Sequence, residues 1–109
     1  MWELRLYVAQ RRTAMLMVPL ILGHLAVIFY ATGSELSASD ILARTRGSIG
    51  WAAFYGAFVI LAAVHGAIGV RTVLREWSPL EGRILDVIMV AFGAVLIALG
   101  ARAVVAVVA

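Results

Sequence analysis

The chain has 109 residues, 64% of them hydrophobic, with six acidic side chains against nine basic ones and a formal charge of +3. A mean hydropathy of +1.04 lies far outside the soluble range, and three membrane spans with short connections would use nearly all of this length, so no separate catalytic domain is expected within it. Cysteine is absent, which removes disulfides, thiolate chemistry and iron–sulfur ligation by this chain, and every basic residue is an arginine near the end of an apolar run, which argues against nucleic-acid contact.

Residues 1–12 (MWELRLYVAQRR) read as an amphipathic lead-in closed by Arg11 and Arg12, and Thr13–Thr32 then runs without a charge. About 20 apolar residues cross a bilayer core of roughly 30 Å, so 13–32 is the first expected span; it is longer than a signal-peptide core and is read as a mature helix. Pro19 lies inside it and should bend it. Gly33–Ser48 gathers Ser, Gly and charge and reads as an extramembrane connection, with Ser48 placed to cap the next helix. The second span is expected over 49–70, with a wetter helical extension through Arg71, Arg75, Glu76 and Trp77 until Pro79 and Gly82 force a turn. The third fills 84–106. The chain is thus expected to be a single all-α integral membrane domain over 1–109, forming part of a larger helical bundle.

Six arginines flank the N-terminal segment and the second connection (Arg5, Arg11, Arg12, Arg71, Arg75, Arg83) against two in the first (Arg44, Arg46), which predicts a cytoplasmic N-terminus and an outside C-terminus. Trp2, Tyr30, Trp51 and Trp77 fall near the predicted boundaries, where aromatic rings anchor a helix at the interface. Ala62-x-x-x-Gly66 and the seven-residue step from Gly93 to Gly100 predict close helix contacts.

His24 and His65 are the only histidines, and both sit inside apolar spans, where an ionisable group is costly and marks a candidate functional site. His65 shares its helix with Ala62, Gly66 and Gly69, small residues that would let a porphyrin approach the backbone. The alternative is a neutral imidazole donating a hydrogen bond to another helix. His24 lies twelve residues beyond Arg12 and His65 six residues before Arg71, about 18 Å and 9 Å from the predicted cytoplasmic edge. That stagger suits two stacked haems better than one haem held by both histidines. Two further function classes stay open: a small oligomeric transporter subunit, which the absence of a carboxylate within the first two spans disfavours, and a cofactor-free accessory subunit of another respiratory or photosynthetic complex.

The segment His65-Gly-Ala-Ile-Gly-Val-Arg-Thr-Val-Leu-Arg-Glu-Trp77 resembles the second-helix signature of the membrane-anchor subunits of succinate dehydrogenase and fumarate reductase, approximately H-x-x-x-G followed by an acidic and an aromatic residue. His65, Gly69, Glu76 and Trp77 match it, although Asp and Tyr are the commoner last pair. The resemblance implies that His65 is an axial ligand of haem b and that Glu76 and Trp77 lie near a quinone head-group, where Arg71 would polarise a quinone oxygen. It implies a second anchor subunit, an iron–sulfur subunit and a flavoprotein as partners, besides membrane lipid, with the bacterial cytoplasmic membrane as the site. The S-x-x-H-R run that many members carry on the first helix is missing around His24, which instead resembles the additional histidine of the diheme members. Metal-ligand candidates under the resemblance are therefore His65 and His24, for one or two haems.

Overall fold

A computed structural model describes residues 1–109 and contains four helices and no strand: α1 (Trp2–Gly33), α2 (Ala38–Thr45), α3 (Ile49–Trp77) and α4 (Arg83–Val108). Helices α1, α3 and α4 are each long and apolar enough to cross a membrane. Helix α3 is the centre of the bundle, with α1 on one flank and α4 on the other, both antiparallel to it.

Two boundaries differ from expectation. The first helix starts at Trp2 and runs for 32 residues without interruption, so the amphipathic lead-in is its first three turns. Nothing in residues 2–12 breaks a helix, and Leu6 gains a packing site against Ala67, Ile68 and Met89 that rewards the extension. Pro19 sits within the helix, is exposed and lines none of the larger cavities. The first connection also holds a helix, α2. Its start is fixed by a capping box in which Ser37 Oγ accepts from the Asp40 N–H while the Asp40 carboxylate accepts from the Ser37 N–H. Ser48 caps α3 as expected, accepting from the Trp51 N–H at 3.2 Å.

Helix α2 lies across the end of α4. The Thr45 hydroxyl donates to the Val107 carbonyl and the Gly47 N–H to the Val108 carbonyl at 2.8 Å, satisfying acceptors that a helix C-terminus leaves open. Gly47 has φ +71°, a left-handed conformation that the short link from α2 to α3 requires. Arg44 ties the same layer to α1 by donating to the Tyr30 hydroxyl at 2.9 Å.

The small residues expected to bring helices together do so. Gly93 faces Ala67, and a side chain at Gly100 would collide with Val59, so the α4 backbone comes directly against side chains of α3. Few side chains are buried within the chain, and the most apolar stretch of α1 has none buried at all. In hydrocarbon such faces need no covering, because the driving force for burying them is absent.

Candidate functional site

His65 sits on the face of α3 that packs against the third and fourth turns of α1. Its Nδ1 lies 3.1 Å from the Gln10 carbonyl oxygen and 3.4 Å from Thr13 Oγ1. The Thr13 hydroxyl is already directed at the Ala9 and Gln10 carbonyls, 2.8 and 2.9 Å away. A carbonyl only accepts, so Nδ1 carries the imidazole proton, and a neutral ring then has its lone pair on Nε2. That nitrogen has no partner within the chain and is not enclosed by it. Histidines that ligate metals are held in this way, the distal N–H on a carbonyl and the other nitrogen free.

The glycines beside His65 serve helix contact, the use expected of Ala62-x-x-x-Gly66. Gly66 faces Leu96 of α4, and Gly69 faces the Gln10 side chain of α1. Both admit neighbouring helices of this chain, so the openness of the His65 face rests on Nε2 and not on these glycines.

His24 occupies another level, beside Tyr55 and Phe58 of α3, whose rings stand nearly perpendicular to the imidazole at centroid distances of 5.9 and 5.5 Å. Its Nδ1 is buried without a hydrogen-bond partner. The ring borders a cleft of about 320 Å³ between α3 and the end of α4, and a second of about 280 Å³ that reaches Arg44 and Trp51. Along α3, seven to ten residues separate this level from His65, about 10–15 Å, so the expected stagger of the histidines is present. The carbonyl that orients His65 has no counterpart here.

Arg71 is 4% exposed and its three guanidinium nitrogens are engaged. Nε donates to Asp86 at 2.7 Å, and Nη1 and Nη2 grip the Glu3 carboxylate at 3.1 and 2.8 Å in a two-pronged pair. Trp2 Nε1 donates to Asp86 at 3.2 Å, and Arg75 adds a second cation to Glu3. One side chain of α3 thereby ties the starts of α1 and α4 together. Arg71 is the knot of the bundle. Glu76 and Trp77, on the last turn of α3, are exposed, Trp77 at 84%, and border no larger cavity of this chain. Glu3 and Asp86 escaped the sequence reading because pairing between helices leaves no local pattern. Counting seven residues back from Gln10 and six forward from His65 puts Glu3 and Arg71 at one level, a register that exists only once α1 and α3 have packed.

Haem iron takes axial ligands from protein side chains, histidine among them, and His65, with its Nδ1 proton on the Gln10 carbonyl and Nε2 free, has the chemistry to be one. The chain matches the family model described as succinate dehydrogenase/fumarate reductase transmembrane subunit over residues 3–100, nearly its whole length. The chain belongs to this family. No curated protein and no solved structure matches it. A membrane-anchor subunit is an integral membrane protein that associates with other subunits of its complex, and the three long apolar helices agree with that.

Proposed function

We propose that this chain is the haem b-binding anchor subunit of a succinate:quinone oxidoreductase in a bacterial cytoplasmic membrane, with His65 supplying an axial ligand through Nε2. The observation that carries the assignment is the His65 Nδ1 contact with the Gln10 carbonyl, which leaves the opposite nitrogen unprotonated. When bound, haem b supplies a one-electron carrier within the membrane. The chain holds the imidazole plane with α1 and fixes the register of α1 through Arg71, Glu3 and Asp86. A second anchor subunit completes the haem cradle, and the flavoprotein and iron–sulfur subunits dock on the N-terminal end of the bundle.

Quinone reduction consumes two electrons and two protons. The last turn of α3 offers Trp77 Nε1–H as a donor to a quinone oxygen and Glu76 as a carboxyl group open to water for proton delivery. Arg71 contributes by holding the helix end that presents them. In the assembled complex, Glu76→Gln should slow quinone reduction several-fold and leave succinate oxidation by an artificial acceptor unchanged; equal loss of both would overturn the quinone assignment.

The staggered level of His24 favours a second reading, in which it ligates a second haem. Its unpartnered Nδ1 favours one haem per chain. Haem quantitation separates the two.

A further inference from the structure

Thr13 is the only buried polar side chain of α1, 8% exposed in a helix whose apolar run otherwise faces outward. Its hydroxyl has one proton and two carbonyls within reach, Ala9 at 2.8 Å and Gln10 at 2.9 Å. Counting lone pairs decides between them. Each carbonyl oxygen takes two hydrogen bonds, and in an α-helix the Ala9 carbonyl receives the Thr13 N–H and the Gln10 carbonyl the Ala14 N–H. One place remains on each. His65 Nδ1–H fills the place on Gln10 at 3.1 Å, so the hydroxyl proton belongs to Ala9, the shorter of its two contacts.

With its proton committed there, Thr13 Oγ1 keeps its lone pairs for the far side, where His65 Nδ1 lies 3.4 Å away. The imidazole N–H then faces two acceptors, a carbonyl and a hydroxyl oxygen, in a three-centre arrangement. Acceptors on Nδ1–H draw its proton outward and leave more electron density on Nε2, which makes the ring a stronger donor to a metal. A stronger donor favours oxidised over reduced iron. The contact is long, but in a part-buried site of low polarity it is stronger than the same contact in water. His24 has no counterpart to either acceptor.

We propose that Thr13 is a positioning residue for electron transfer: through the contact of its Oγ1 with His65 Nδ1 it lowers the reduction potential of the haem that His65 ligates. The proposal rests on the assignment of His65 as an axial ligand.

The test is an optical redox titration of that haem in the purified complex. Thr13→Val keeps the branched shape and removes the acceptor, and should favour reduction about threefold, the effect of one weak hydrogen bond, which for one electron is about 30 mV upward. Thr13→Ser restores the hydroxyl and should titrate with the wild type. Thr32→Val removes a hydroxyl that likewise bonds back along α1, to the Ile28 carbonyl at 2.8 Å, but lies eight residues beyond His24, and should leave the potential unchanged. If Thr13→Val disturbs assembly, Thr13→Ala removes the same oxygen with less bulk and is read in the same way. An unchanged or lowered potential with haem bound overturns the proposal, as does a Thr13→Ser variant that shifts as far as Thr13→Val. A native complex without haem, or haem retained in full in His65→Ala, is a separate result: it overturns the assignment of His65, and the proposal with it.

Discussion

His65 and His24 are both imidazoles within apolar helices, yet their surroundings treat the ring nitrogens differently. His65 Nδ1 has a carbonyl within 3.1 Å, whereas His24 Nδ1 has only the aromatic rings of Tyr55 and Phe58 around it. His65→Ala should therefore abolish the b-type absorption of the assembled complex, and His24→Phe should leave one haem per chain in place; pyridine haemochrome quantitation of both variants checks this. The sequence made both histidines visible as costly polar groups, but not the difference between them, because the Gln10 carbonyl reaches His65 only after α1 and α3 have packed. The same holds for Arg71. Its position at the end of a span was legible, its burial between Glu3 and Asp86 was not, since both carboxylates come from other helices. Arg71→Gln should lower the thermal stability of the detergent-solubilised complex by more than Arg75→Gln does, because Arg75 is half-exposed and exposed pairs contribute little.

Among the elements, α2 and the α3–α4 contact carry separate consequences. The Asp40 carboxylate accepts from the Ser37 N–H at 2.9 Å and from its hydroxyl at 2.7 Å, and these bonds hold the carboxyl below the usual carboxylate range. The folded value is depressed, so the charged cap contributes fully above the unfolded value of about 4 and its contribution is lost as pH falls through the lower folded value. Proteolysis within 33–48 should accelerate over that acid window, and Asp40→Asn should flatten the dependence. Gly100→Leu should force α3 and α4 apart against Val59, an overpacking penalty of about 1–3 kcal/mol, read as a lower melting temperature. The spans themselves were legible, since apolar runs of about 20 residues have few other uses. The extension of α1 back to Trp2 and the existence of α2 were not: charges in the first three turns looked like a boundary, and the eight residues of α2 are too short for a periodic pattern to stand out.

At the scale of the molecule, three helices are tied at one end by Arg71 and closed at the other by α2, with most of the apolar surface of α1 left outward. As a member of a family of transmembrane subunits, the chain associates with other subunits of its complex. The arginine asymmetry predicts that the Arg71 end faces the cytoplasm; single-cysteine labelling at Glu81 should then succeed only from the cytoplasmic side and at Glu35 only from outside, and the reverse would invert the topology. The most direct measurement of the central claim is a reduced-minus-oxidised optical spectrum of the purified native complex, with haem quantified per copy of this chain. A b-type spectrum with one haem per chain, lost in His65→Ala while the flavoprotein remains bound, is the predicted result; a native complex that contains no haem, or an unaltered spectrum in His65→Ala, would contradict the account.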